Sequence, residues 1–182
     1  MPNFEEKTIS TEKIFDGKII SLQVDEVRLP NGKIAKRELV KHPGAVAIIA
    51  ITSEAKIVLV EQYRKPLERM SLEIPAGKME AGELPLHTAA RELEEETGYR
   101  AEQLTLVQTF ATSPGFADEI IHVYVAEQLT VVEHKAPLDE DEFVTLKTYT
   151  LPEVWDMLQQ GRITDAKTAF AIQWWKLQQL MK

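Results

Sequence analysis

Two periods of apolar residues organise this chain. Between residues 7 and 28 apolar and polar positions alternate weakly, which predicts strands. Asp16-Gly17 reads as a hairpin turn, and Pro30-Asn31-Gly32 as a second turn between strands at about 22–29 and 34–41. Ala45–Thr52 and Lys56–Tyr63 are rich in β-branched residues, flank a short Ser53-Glu54 turn and read as central strands. Leu72–Ile74 is a short strand entering a glycine loop, and Leu84–Thr97 shows the helical period. Gln103–Thr112 and Ile120–Leu129 read as strands around the loop that begins at Ser113, and Phe143–Thr150 as another. Pro152 opens a helix at about 152–160, and Asp165–Met181 is a final amphipathic helix. Strands mixed with two or three helices, without regular βα alternation, indicate an α+β fold. Residues 1–42 form an N-terminal β-rich segment, and residues 43–182 the main domain. A free piece of two or three strands is marginal in water, so the first segment should bury a face on something.

The candidate chemistry lies in the helix at 84–97. It carries four glutamates in five positions, Glu92, Glu94, Glu95 and Glu96. Like charges one turn apart repel by about 0.2–0.5 kcal/mol a pair. Leu86, Ala89, Ala90, Leu93 and Thr97 make an apolar stripe; Glu92 and Glu96 are expected along its flank, with Glu95 pointing further out. A Glu-rich helix alone is most often a solvated acidic face. Here a loop constrained by Pro75, Gly77 and Gly82 precedes it and Gly98 stops it. Stacked carboxylates beside such a loop suit a hard divalent cation, which takes oxygen ligands from carboxylates and substrate phosphates. The chemistry that follows is metal-assisted attack on a phosphate.

Gly77, Glu83 and the run Arg91-Glu92-Leu93-x-Glu95-Glu96-x-Gly98-Tyr99 stand at the spacing of the Nudix box, and the chain resembles the Nudix hydrolase family. Arg37-Glu-Leu, His42-Pro-Gly-Ala-Val46, Glu61-Gln-Tyr-Arg64, Leu72-Glu-Ile-Pro-Ala-Gly77, Ser113-Pro-Gly115 and Asp139-Glu-Asp-Glu142 are similar to its ADP-ribose pyrophosphatase branch. The resemblance implies a mixed α/β/α sandwich, the Nudix fold, preceded by the β-rich segment. It implies Mg²⁺-dependent hydrolysis of the diphosphate of ADP-ribose, or of another nucleoside diphosphate derivative, with two or three ions and Mn²⁺ as a substitute. It makes Glu92, Glu96, Glu95 and the main-chain carbonyl of Ala76 metal ligands, and Gly77, Glu83, Arg91 and Gly98 structural members of the box. Glu142 and Glu140 match functional glutamates, one of them the base. Arg64 matches a phosphate-gripping arginine, Arg37 and Glu38 match residues at the adenine end, and Ser113, Pro114, Gly115 and Glu119 match a ribose-side loop. A homodimer whose N-terminal segment completes the partner's pocket is a further implication. Without the resemblance, Arg91 and Glu95 are an ordinary i,i+4 ion pair, and Asp139–Glu142 a solvated loop. A non-catalytic nucleotide sensor on this scaffold would be expected to have lost Glu92, Glu95 or Glu96, and all three are present.

Composition narrows the partners. A length of 182 residues suits one domain with a small N-terminal addition. A net charge of −8 argues against general nucleic-acid binding, which needs a basic face, but not against a nucleotide brought in with metal ions. The absence of cysteine removes thiolate and disulfide chemistry and fits a cytoplasmic protein. The acidic start, Met1-Pro-Asn-Phe-Glu-Glu, lacks the apolar run of a signal peptide, and Ala45–Ile51 is too short to span a membrane. His42, His87, His122 and His134 show no ligand spacing, and Trp155, Trp174 and Trp175 read as packing or dimer contacts.

Overall fold

The computed structural model describes residues 3–133 and 143–181. The chain divides into two compact units, one formed by residues through Gly44 with Phe110–Ile121, the other by Ala45–Thr109 with the described residues from His122 onward.

The first unit is an antiparallel meander of β1 (Lys7–Asp16), β2 (Ser21–Arg28) and β3 (Ile34–Lys41). The Gly17 amide donates to the Ile20 carbonyl at 2.9 Å and closes the first turn. Gly32 closes the second at φ 83°, a left-handed conformation that glycine adopts without steric cost. Every position of β1 is exposed. Asp25, in the middle strand, is nonetheless buried, and Thr8, Thr11 and Gln23 all donate to its carboxylate. The loop through Ser113 is bonded to the end of β3: Val40 donates to the Phe116 carbonyl at 2.8 Å, and Asp118 donates back to Val40 at 3.2 Å.

The second unit holds the helices and two sheets, apart from the end of one strand and the start of the next, which fall within Phe110–Ile121. Its strands are β4 (Ala45–Ala50), β5 (Lys56–Arg64), β6 (Arg69–Glu73), β7 (Ala76–Lys78), β8 (Tyr99–Ala111), β9 (Ile120–Val131) and β10 (Val144–Thr150). They order as β7-β4-β9-β8 and β10-β5-β6. The helices are α1 (Pro85–Thr97), α2 (Leu151–Gln159) and α3 (Ala166–Leu180). All of β4 is buried. Val46, Ile48 and Ala50 pack with Val58, Tyr124 and Ala126 and with Ala89 and Leu93 of α1, so the core clamps the helix that carries the glutamates. Full burial of each large side chain there contributes about 1.5–3 kcal/mol. No helix among the described residues is long and apolar enough to cross a membrane.

Three details depart from the sequence reading. Ala76–Lys78, expected as loop, is a strand paired with β4 through Ala47↔Ala76, Val46↔Gly77 and Ala45↔Lys78. β6 begins at Arg69 rather than Leu72, because the 3-10 turn Lys65–Leu67 folds the chain straight back and pairs Arg64 with Arg69. The inward face of α1 is also rotated: it is Thr88, Ala89, Glu92, Leu93, Glu96 and Thr97, while Leu86 and Ala90 are exposed. Glu92 and Glu96 therefore lie within the buried face instead of along its flank.

Candidate active site

Helix α1 starts with Pro85 in its first turn and ends at Gly98, which takes φ 71° and donates to the Glu94 carbonyl at 2.8 Å. Thr88, Glu92 and Glu96 form one i,i+4 row of its inward face. Glu92 is 7% exposed and Glu96 4%. Burying two carboxylates one turn apart is costly unless each finds a partner. Glu96 accepts from the Ala76 amide at 2.9 Å, and Glu92 accepts from Arg91 at 2.8 Å. Pairing of β7 with β4 is what brings the Ala76 peptide to Glu96.

The same strand explains the glycine at 77. A methyl group on Gly77 would collide with the Glu92 carboxyl. The missing side chain makes the cradle in which that carboxylate sits. Two buried carboxylates converging on a main-chain strand offer hard oxygen donors, and such donors fit a divalent cation of the Mg²⁺ type. No set of three or more His, Asp or Glu side chains around one point occurs among the described residues, so carbonyl and substrate oxygens would have to complete the coordination. Gly77→Ala is accordingly expected to weaken Mn²⁺ binding by about 10–100-fold in a calorimetric titration, the scale of a disturbed ligand environment. Gly82→Ala is the control. That residue has positive φ, 81°, and a methyl there meets nothing within 4 Å, so the substitution should cost stability through the backbone and leave metal affinity unchanged.

Arg91 ties this corner together. Its guanidinium donates to both oxygens of Glu83 at 3.2 Å, and Nη1 donates to Glu92 and Glu95 at 2.8 Å each. The bond from Arg91 holds the Glu83 carboxyl down at about 2. The i,i+4 pair of Arg91 with Glu95 is thus present, as one spoke of a wider hub that braces the loop on the helix.

Arg64, at the end of β5, grips Glu73 with Nε at 2.9 Å and Nη2 at 2.7 Å. Lys167 of α3 donates to the same carboxylate and, at 3.0 Å, to Asp165. Arg64, Glu73, Asp165 and Lys167 line an open cavity of about 370 Å³, walled on one side by Pro66 and Leu67. The Glu73 bond first, and then the negative charges of Glu96 and Asp165, hold Arg64 in its charged form. Burial would raise the Glu73 carboxyl; the Arg64 fork and the Lys167 ammonium outweigh it and hold it at about 2. A carboxyl depressed on folding stabilises the protein above its ordinary pKa, and that contribution disappears as pH falls toward the depressed value. Between pH 5 and pH 3 the native chain should therefore lose about 2 kcal/mol that Glu73→Gln does not lose, measurable by urea unfolding at the two pH values.

The remaining candidates belong to the first unit. Arg37 and Glu38 are adjacent on β3, so their side chains leave opposite faces of the sheet. Arg37 is held by both oxygens of Glu6, at 2.8 and 2.6 Å, and Glu38 is exposed. Ser113, Pro114 and Gly115 form a turn closed by bonds from Phe116 and Ala117 to the Ser113 carbonyl. Glu119 accepts from the Thr112 hydroxyl. Glu140 and Glu142 lie outside the described residues.

Sequence reasoning passed over Glu73, Lys167, Asp165 and Thr168 as site residues. One signal was present: Glu73 interrupts an apolar strand between Leu72 and Ile74, where a lone carboxylate needs a cation. Its partners are Arg64, 9 residues away, and Lys167, 94 residues away, and nothing local announces the second.

Residues 41–172 match the NUDIX domain, and residues 6–40 match the nucleoside diphosphate sugar hydrolase N-terminal domain. The chain is 62% identical to a methanol dehydrogenase activator of Bacillus methanolicus, over 98% of this chain and 97% of that one. It is 57% identical to an ADP-ribose pyrophosphatase of Bacillus subtilis (strain 168), over 100% of this chain and 98% of that one. Its fold is similar to a crystal structure of an ADP compounds hydrolase, with a TM-score of 0.82 at 22% identity and 96% of each chain covered. Enzymes of this group use divalent metal ions, in keeping with the donors that α1 turns inward. With the glycine strand, the buried glutamate row and the arginine hub all at the box positions, the chain belongs to the Nudix hydrolase family.

Proposed function

We propose that this chain is a Mg²⁺-dependent pyrophosphohydrolase that converts ADP-ribose and water to AMP and ribose 5-phosphate. The observation that carries the reading is the buried pair Glu92 and Glu96, seated against Gly77 and the Ala76 amide. End-to-end similarity to an ADP-ribose pyrophosphatase supports the substrate. In this reading Glu92, Glu96, Glu95 and the Ala76 carbonyl hold two or three Mg²⁺ ions, with Mn²⁺ as a substitute. Such ions, when bound, neutralise the diphosphate and make water more acidic. Glu142 or Glu140 takes the proton of the attacking water, one P–O bond of the bridge breaks, and the leaving phosphate keeps the electron pair. Arg64 holds a phosphate oxygen, Arg37 and Glu38 hold the adenine end, and Ser113, Pro114, Gly115 and Glu119 line the ribose. Gly77, Glu83, Arg91 and Gly98 keep the box in shape. Ranking kcat/KM for ADP-ribose against GDP-mannose, a dinucleotide and an oxidised nucleoside triphosphate tests the substrate. ADP-ribose should lead by about tenfold or more, the discrimination expected from groups hydrogen-bonded to one base and sugar. A lead for any of the others would move the reading to that nucleoside diphosphate derivative.

The enzyme works in the cytoplasm as a homodimer, with residues 1–42 as its dimerisation segment and residues 43–182 as the hydrolase domain. Support comes from the first unit, where Ile9, Ile14, Phe15, Ile19, Ile20 and Ile34 are exposed. Six exposed large apolar side chains on one small unit call for a partner, and a two-fold pair is the commonest arrangement. Light scattering should return about twice the 20.7 kDa chain mass. A chain beginning at Pro43 should be monomeric, bind Mg²⁺ and lose affinity for ADP-ribose. Efficient hydrolysis by a full-length monomer would contradict the assembly.

The relative from Bacillus methanolicus supports a second reading, in which this chain activates a methanol dehydrogenase. Adding the chain, or its Glu96→Gln variant, to that dehydrogenase separates the two. Activation by the native chain alone would make hydrolysis the means of activation, and equal activation by both would make activation independent of it.

A further inference from the structure

Glu73 is a buried carboxylate, 3% exposed, for which the reaction outlined above has no use. Its Oε1 takes Nε of Arg64, and its Oε2 takes both Nη2 of Arg64 and Nζ of Lys167. Arg64 makes no hydrogen bond through Nη1 among the described residues, and its side chain is 39% exposed. The guanidinium is thus fixed along one edge and open along the other. A fork held in this way is pre-organised for a second planar, bidentate partner, and phosphate oxygens match that geometry.

Lys167 is not what joins the strand to the helix. The strand that bears Glu73 is already fastened to α3, because the Ile74 amide donates to Thr168 Oγ1 at 2.8 Å, and Thr168 in turn is held by the N-cap Asp165 at 2.9 Å. The two elements therefore stay joined without the ammonium. What Lys167 adds is a second cation on Glu73. It shares the carboxylate's negative charge, which would otherwise fall on Arg64 alone, and Asp165 holds the ammonium in place at 3.0 Å.

We propose that Lys167 is a positioning residue for the diphosphate: by holding Glu73 it sets the plane of Arg64 and leaves that arginine's charge available to a phosphate oxygen. The proposal rests on the reading of Arg64 as a phosphate contact. It extends the functional site to the first turn of α3, distant in sequence from the box.

The test is a double-mutant cycle in the full-length chain, with steady-state kinetics on ADP-ribose at saturating Mg²⁺. Lys167→Met is expected to raise KM about tenfold with kcat little changed, the pattern of lost substrate binding. Lys167→Arg should restore KM to within about twofold, since a second cation is again present. In an Arg64→Gln background, Lys167→Met should add nothing further, because the group through which it acts is gone. The Nε–H signal of Arg64 in nitrogen NMR offers a readout apart from activity: it should exchange faster with water in Lys167→Met than in the native chain. Should Lys167→Met fail to fold, Lys167→Gln carries the same cycle. An equal rise in KM in both backgrounds, or an unchanged KM and Arg64 signal in the single variant, would overturn the proposal. Unchanged KM in Arg64→Gln alone would remove Arg64 from the substrate and the positioning role with it. Absence of ADP-ribose turnover in the native chain would instead be a failure of the activity reading, and the NMR arm would still report on the geometry.

Discussion

Glu96→Gln should reduce ADP-ribose turnover by about 10³-fold while the protein stays folded. The amide is nearly the same size as the carboxylate, and its oxygen can still accept from the Ala76 amide, so the contact between α1 and β7 survives. What disappears is one negative charge, 4% exposed and one turn from a second carboxylate. In the absence of metal that loss relieves the repulsion from Glu92 and gives up the attraction to Arg64, so the thermal midpoint of the metal-free variant should stay close to that of the native chain. In the presence of metal the balance reverses, because a hard cation prefers an anionic oxygen. Removing one preorganised donor from a developing oxyanion typically costs about 10²–10³ in rate, and a carboxylate that seats the cation would act on the phosphoryl oxygens through it at the upper end of that scale. Turnover, midpoint without metal and midpoint with Mg²⁺ should be measured on one preparation. Near-native turnover, or a large fall in the metal-free midpoint, would take Glu96 out of the metal site.

Glu142→Gln and Glu140→Gln are expected to differ from one another. One of them should lose about 10²–10⁴ in kcat, the range for a general base, and the other should lose much less. The affected variant should also lose the acidic limb of the pH–rate profile, since its missing carboxylate is the group that must be ionised to accept the proton. Full activity of both variants across pH would place the base elsewhere.

The architecture around the box was legible for a physical reason: its periods are local. Alternation, the Asp16-Gly17 and Pro30-Asn31-Gly32 turns and the Gly98 stop each constrain only their neighbours, and the strands and helices lie within a few residues of where those signals put them. The inward face of α1 was not legible from hydrophobicity, because a row containing Thr88, Glu92 and Glu96 scores as polar and is buried for its chemistry. The strand at Ala76–Lys78 was hidden for a related reason. Gly77 lowers strand propensity, yet β4 recruits the segment and the glycine makes room for Glu92. The Arg64–Glu73–Lys167 network depends on pairs 9 and 94 residues apart, a separation that sequence periodicity does not encode.

Product identification after incubation with ADP-ribose and Mg²⁺ tests the central claim most directly. Phosphorus NMR should show the diphosphate signals replaced by two phosphomonoesters, AMP and ribose 5-phosphate, in equal amounts, with no reaction once a chelator is added. Release of ADP or inorganic phosphate, recovery of intact bound nucleotide, or turnover that ignores the chelator would contradict it.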